Sequence, residues 1–249
     1  LGENPRASVR EVYEAIIADL DWAIAHLTEA RSDKSKINKN VAYGLRARAN
    51  LFLGNFAAAA EDADSAMVGY QPATMEELGE PAFYNINDHN WIWGIIITED
   101  IAMIDQMCTA GSWISPFSAV AYASYAQLTP QINTLLYNLI PATDVRKNWW
   151  IDENLYSPLL DQVSWNGVSG AEISKLTIAD VKDTYLPYTN VKFGMKSGVG
   201  SEMNNNDWPL MRVEEMILIK AEGLIKSGQE AAGEKVMTDF IKTYRDPEY

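Results

Sequence analysis

AYGLRARANLFLGNFAAAAEDADSAM, residues Ala42–Met67, reads as two helices joined at Leu53-Gly54 and closed by alanines. In the first helix, Ala42, Leu45, Ala49 and Phe52 or Leu53 recur at three- and four-residue spacing and form one apolar face, with Arg46, Arg48 and Asn50 turned elsewhere. Gly54 supplies the positive φ that ends a helix at little steric cost. Beyond Asn55 and Phe56, the run Ala57–Ala60 with Ala63 and Ala66 gives a second helix whose small side chains let two backbones approach closely. Such a pair cannot bury its face alone.

That need for a neighbour points to VEEMILIKAEGLIKSGQEAAGEKVMTDFI, Val213–Ile241, as a second copy. Ala221, Gly228 and Ala231 stand at the same relative offsets as Ala47, Gly54 and Ala57. Both stretches look like tetratricopeptide-type helical hairpins, which complete a core by stacking.

Working outward, Ser8–Glu29 carries a helical stripe of Val12, Ile16, Leu20, Ala23 or Ile24, and Leu27, with Asn4-Pro5 and Ser8 at its start. RSDKSKINKN (Arg31–Asn40) is a polar connector. Pro72, Gly79 and Pro81 break the helical pattern after Tyr70. NWIWGIIIT (Asn90–Thr98) is aromatic and β-branched and predicts an extended segment in which Trp91 and Trp93 pack together on one face. GSWISPFSAVAYASY (Gly111–Tyr125) mixes aromatics with Ser and Gly, the composition of irregular surface structure. A helix is expected over Pro130–Leu139, loops around short helices over Asn154–Tyr188, and a short strand at VKFGM within Asn190–Gly200.

Composition sets the bounds. The chain has 249 residues, 47% of them hydrophobic, enough for a substantial core in one domain or two. A net charge of −14 argues against a nucleic-acid-binding protein, which needs clustered Lys and Arg. Cys108 is the sole cysteine, so no internal disulfide forms, and without a His or Cys neighbour it reads as a structural thiol. The longest apolar run, Trp91–Ile97, is far short of the roughly 20 residues of a membrane-spanning helix. The chain opens at Leu1 without Met, as after processing or truncation.

Several separate stretches, in the same order, resemble the SusD/RagB family of outer-membrane glycan-binding lipoproteins of Bacteroidetes, named for starch utilisation. They are PRASVREVYEAIIADLDWAI, AYGLRARANLFLGNFAAAAEDAD, NWIWGII, ATDVRKNW, VKFG and DWPLMRVEEMILIKAEGLIKSG. The last is the most specific, with Pro209, Arg212, Glu215, Ala221, Glu222 and Gly228 at the family's relative places. Gly223 departs from it, standing where alanine is usual, and the region after Tyr244 lacks the usual Asn and second Arg. The resemblance covers most of the chain, as the middle of a longer family protein whose lipobox cysteine and C-terminal continuation are missing.

The fold expected is mostly α: tetratricopeptide-like hairpins, packed as a single SusD-like domain over 1–249, with an irregular region and little strand. The N-terminal repeat part spans 8–68, the irregular ligand-binding part 69–207, and the C-terminal hairpin 208–245. The resemblance implies a non-catalytic protein on the extracellular face of the outer membrane, held by a lipid anchor that this chain does not contain. It would capture oligosaccharides for a SusC-like TonB-dependent transporter. A helical-repeat protein that binds peptides or a protein partner is the alternative.

A sugar site needs aromatic rings for the C–H faces of pyranoses and planar polar groups for their hydroxyls. Trp113, Phe117, Tyr122, Tyr125 and Trp165 lie in loop-like stretches and are the candidate platforms. Asn166 is a candidate hydroxyl partner, as is Asn206. Trp91, Trp93, Trp149 and Trp208 adjoin packing motifs, and Asp144 with Arg146 and Arg212 with Glu215 read as structural ion pairs. No motif singles out catalytic carboxylates, and neither His26 nor His89 has a nucleophile motif beside it. No cofactor-binding glycine loop is present, and the polar run Ser201–Asp207 lacks the EF-hand spacing of a calcium site.

Overall fold

The computed structural model describes residues 6–102, 131–162, 164–165, 168–169, 186–198 and 205–249. The fold is mostly helical with little strand, as expected. In chain order the elements are α1 (Val9–His26), α2 (Lys39–Leu53), α3 (Phe56–Ala66), β1 (Trp91–Ile95), α4 (Glu99–Ala102), α5 (Thr134–Leu139), β2 (Ser164–Trp165), β3 (Val168–Ser169), β4 (Trp208–Arg212), α6 (Val213–Lys226) and α7 (Glu230–Tyr244). They divide between two compact units. The first comprises Leu1–Pro72, His89–Trp93 and Leu210–Phe240; the second comprises Ala73–Asp88, Gly94–Pro209 and Ile241–Tyr249.

In the first unit, α1 begins at a reciprocal cap: Ser8 Oγ accepts the Glu11 N–H at 3.2 Å, and the Glu11 carboxylate accepts the Ser8 N–H at 2.7 Å. The first hairpin starts earlier than the sequence suggested, because the Asn38 side chain accepts the Val41 N–H and so caps α2. Gly54 ends α2 with φ of 82°, and Gly228 turns between α6 and α7 with φ of 87°. Val41, Ala47, Ala59, Ala63, Ala66, Ile92, Met211, Val213, Met216 and Ile219 form one core. The paired strands β1 and β4 contribute Ile92 and Met211 to it.

Small side chains decide the packing of α3 on α6. A Cβ on Gly223 would stand 2.6 Å from the Phe56 carbonyl oxygen and 3.0 Å from the Ala60 Cβ. This close approach accounts for glycine where the resembled motif has alanine.

The polar residues of α2 point to carboxylates of other helices, of which Asp62 is buried. Arg46 donates to Asp62 at 2.6 and 2.9 Å, and Asn50 donates to the same carboxylate at 3.0 Å. Arg48 binds Glu215 through two bonds of 2.6 Å and also reaches the Leu210 carbonyl. Hence the Arg212–Glu215 ion pair expected from helical spacing is not formed: Glu215 is taken by Arg48, and Arg212 lies 3.8 Å from Glu214. The α1 stripe is also less buried than its periodicity implies, with Ile24 inside and Val12 and Ile16 exposed. Phe52 is 64% exposed and stacks on Tyr13 with ring centroids 4.4 Å apart.

In the second unit, Asp207 ties three segments together. Its buried carboxylate accepts the Ile86 N–H at 3.0 Å, the Ile97 N–H at 2.9 Å and the Lys196 ammonium at 2.8 Å. Asn206 beside it is fully buried, donating to the Gly194 carbonyl and accepting the Lys196 N–H, so it is not a ligand group. Among the described residues no cluster of His, Cys, Asp or Glu is arranged to hold a metal ion. The strand expected at VKFGM is absent: Phe193 makes only an isolated bridge to Ala82. Conversely, β2 and β3 pair antiparallel, Ser164 with Ser169 and Trp165 with Val168, where loops were expected. The helix expected from Pro130 begins at Thr134, because the Asn133 side chain caps it through the Leu135 N–H.

Three outcomes follow from these contacts. Gly223→Ala should lower the unfolding free energy by roughly 1–3 kcal/mol in urea titration, since the obstruction is a backbone carbonyl that cannot rotate away. Asp207→Ala should cost about 2–4 kcal/mol in the same assay, because it leaves the buried Ile86 and Ile97 N–H groups without an acceptor. The Ser8 N–H and hydroxyl hold the Glu11 carboxyl below its ordinary value. Its contribution is therefore complete above the ordinary carboxylate range and is lost as pH falls through the depressed folded-state value. Glu11→Ala should lower the thermal midpoint at neutral pH and make progressively less difference in acid.

Candidate functional site

Trp113, Phe117, Tyr122 and Tyr125 lie outside the described residues, as do Asn166 and Cys108; Trp165 is placed only as part of β2. Gln131 and Ile132, which follow the 103–130 stretch, dock on 187–189, which follow 170–185. Gln131 Nε2 donates to the Pro187 carbonyl at 2.7 Å, and the Ile132 N–H donates to the Tyr188 carbonyl at 3.1 Å. The same residues join a second strand-like segment, because Tyr188 N–H donates to the Ile151 carbonyl and Ile151 N–H to the Thr189 carbonyl. Trp150 bridges Asn190 in the same run.

This junction carries its own aromatic surface. Tyr137 on α5 and Tyr188 face one another with ring centroids 5.1 Å apart at 60°. The Lys147 ammonium sits 4.9 Å over the Tyr137 ring while donating to the Ile140 carbonyl at 2.8 Å. Burial, then the Asp152 charge, pushes the Tyr137 hydroxyl up, so it stays protonated and available as a donor. Tyr188 and Leu155 hold left-handed backbone conformations, with φ of 67° and 62°. Such conformations cost energy for residues with a Cβ and persist where surrounding contacts enforce them. Tyr156 is exposed, and its hydroxyl donates to Asp161 at 2.9 Å. Leu135, Leu136, Leu139 and Leu186 add exposed apolar area.

The arrangement offers ring faces, hydroxyls and an ammonium at one edge of the second unit. That combination suits a ligand with both C–H faces and hydroxyl groups. None of Tyr137, Tyr188, Lys147 and Tyr156 was singled out from the sequence. The signal available was the Pro187-Tyr188 pair and a tyrosine inside the otherwise leucine-rich LLYNLIP.

The tryptophans assigned to packing do pack. Trp91 is fully buried; Trp93 lies against the first unit's core. Trp149 meets Phe83 edge-on at 5.7 Å, and its indole N–H donates to the Leu78 carbonyl. Asp144 and Arg146 form the expected ion pair. The first unit has a different cavity, about 460 Å³, between α1 and α2. Tyr13, Ile16, Leu20, Leu45, Ala49 and Phe52 make it largely apolar. Asp19 and Arg48 are its charged lining residues, and Arg48 is already committed to Glu215.

No family model matches the chain. It is 25% identical over 243 residues to SusD-like protein P2 of Formosa agariphila, a match covering 95% of this chain and 46% of that protein. The structure of a SusD-like carbohydrate binding protein from Bacteroides vulgatus superposes with a TM-score of 0.69 at 23% identity, over 98% of this chain and 45% of the other. Surface glycan-binding protein A from Bacteroides thetaiotaomicron gives 0.61 at 16% identity, over 95% and 54%. The chain thus spans about half the length of the relatives it matches. The resemblance read from the sequence holds along nearly the whole chain, which has the SusD-like fold.

Proposed function

We propose that the protein is a non-catalytic glycan-binding component of a surface uptake system. It captures oligosaccharides and hands them to a SusC-like TonB-dependent transporter, at the extracellular face of the outer membrane. Its curated relative is named SusD-like, and two proteins sharing the fold are named for binding carbohydrate or glycan. The observation that carries the reading is the junction of Gln131 and Ile132 with Pro187–Thr189. It brings the exits of two long stretches together beside the Tyr137–Tyr188 pair.

In this reading the segment 69–207 binds the ligand. Trp113, Phe117, Tyr122, Tyr125 and Trp165 supply stacking faces, and Asn166 bonds hydroxyls. The helical parts, 8–68 and 208–245, serve as the scaffold. The α1–α2 cavity does not favour the alternative of a peptide groove, because its lining offers few polar side chains to pair with peptide backbone.

Calorimetric titration against plant, host and microbial oligosaccharides tests the proposal. One glycan class should give a saturable heat, weakened about tenfold or more by Trp113→Ala or Trp165→Ala with the melting curve unchanged, a loss of roughly 1.4 kcal/mol. Silence toward every glycan together with binding to a peptide library would overturn it. Turnover of a chromogenic glycoside that vanishes when one carboxylate is neutralised would instead make the protein a hydrolase.

A further inference from the structure

The first unit holds a second, smaller cavity of about 210 Å³. It is lined by Glu29 from the chain after α1, by Lys39, Asn40 and Tyr43 from the first turns of α2, and by Ser65 and Val68 at the end of α3. These walls are fastened to one another. Asn38 Nδ2 donates to the Glu29 carbonyl at 2.8 Å and the Lys39 N–H to the Thr28 carbonyl at 3.0 Å, which ties the chain after α1 to the start of α2. Asn40 is buried, and its Nδ2 donates to the Val68 carbonyl at 3.0 Å and the Ala66 carbonyl at 3.3 Å, which ties the same turn to the end of α3. Little ordering is left for a ligand to impose.

The polar groups of the cavity are uncommitted. Glu29 and Lys39 line it without forming an ion pair, and among the described residues neither side chain has another hydrogen-bond or ion-pair partner; nor does the Tyr43 hydroxyl. The Ser65 hydroxyl donates to the Glu61 carbonyl at 3.0 Å and keeps its lone pairs to accept with. An ammonium only donates, a carboxylate only accepts, and a hydroxyl does both. A ligand with one net charge would satisfy either Glu29 or Lys39 and be repelled by the other. Neighbouring hydroxyls on one ring instead accept from Lys39 and donate to Glu29 together. Val68, 61% exposed, offers methyl groups to the C–H side of such a ring. The volume is below the roughly 300–1,000 Å³ of pockets for drug-sized ligands, so one ring fits and a chain does not.

We propose that this cavity is a sugar subsite, separate from the site proposed in 69–207, which takes a single neutral pyranose whose adjacent hydroxyls bridge Lys39 and Glu29. The inference rests on the reading of the protein as a glycan binder and adds to it a place for one unit, either a free monosaccharide or the end of a chain.

Glucose, galactose, mannose and xylose, each titrated into the full chain and followed by NMR of the Val68 methyl and Tyr43 ring signals, test the subsite. One of them should shift both signals saturably. Glu29→Gln and Lys39→Met should each weaken that binding about tenfold, and the shift should persist in Trp113→Ala. Silence at Val68 and Tyr43 toward all four sugars, an equal response to the zwitterion glycine, or binding undiminished by both substitutions overturns the subsite. Glu29→Gln keeps the size of the side chain, so its result decides if Lys39→Met alters the melting curve. The disaccharide of the responding sugar separates the two sources: equal binding assigns the cavity to chain ends, and refusal assigns it to the free sugar. Oligosaccharide heat that depends on Trp113 alongside silence at Val68 leaves the main site standing and removes the subsite. A Val68 response without any such heat supports the subsite and counts against the main site.

Discussion

The structure of the first unit depends on how closely α3 approaches α6. Helices that meet through glycine and alanine gain dispersion contacts between backbones, but a methyl group in the wrong place has nowhere to go. Gly223 faces the Phe56 carbonyl, which belongs to the first turn of α3 and cannot move without that turn. Ala59, Ala63 and Ala66 continue the contact surface along α3 at buried positions. Two helices far apart in sequence are thereby registered against each other, and the hairpins that contain them become one core with Ile92 and Met211.

Buried carboxylates do the complementary work of choosing one arrangement among many apolar ones. Asp62 receives Arg46 and Asn50 from the facing helix, which sets the rotation of α2 against α3. The guanidinium's own protonation is reinforced by Asp62 more than burial weakens it. In the second unit, Asp207 satisfies two backbone N–H groups and one ammonium from segments that have no regular secondary structure in common. A region poor in helix and strand cannot satisfy its backbone by ladders, so single side chains take over that task. Breaking any of these pairs leaves a buried charge behind, whereas hydrophobic slippage would only trade one contact for another.

Legibility in the sequence follows the same division. Helices repeat, so their apolar spacing and their capping residues show through: Ser8, Gly54 and Gly228 stand where the caps and turns form. Gly223 was visible as a departure from the expected alanine, and only the Phe56 carbonyl explains it. Periodicity gave the wrong partner for Glu215, because i,i+3 spacing is local and the guanidinium that wins comes from α2. It also overstated the burial of α1, since a stripe marks which face is apolar and not how much of it finds a neighbour. In the irregular unit, bridges such as Ala82 with Phe193 join residues by register alone, with no pattern to read. The Tyr137–Tyr188 pair is of that kind, brought together by the docking of Gln131 on Pro187.

Charge narrows the kind of ligand this frame favours. The chain carries 34 acidic against 20 basic residues. Among the described residues, Arg46, Arg48, Arg146, Lys196, Lys220, Lys226 and Lys235 are engaged with carboxylates. With these cations paired and a net charge of −14, the long-range field disfavours phosphates and other polyanions. A neutral glycan, the ligand proposed above, would escape that repulsion, and exposed carboxylates would serve as acceptors for its hydroxyls. Recognition must then come from ring faces and short polar contacts, which need rigid placement more than charge. The Asp207 carboxylate gives rigidity of that kind to the segments it ties, Ile86, Ile97 and Lys196. Groups carried on backbone that is already held leave little ordering cost to be met on binding.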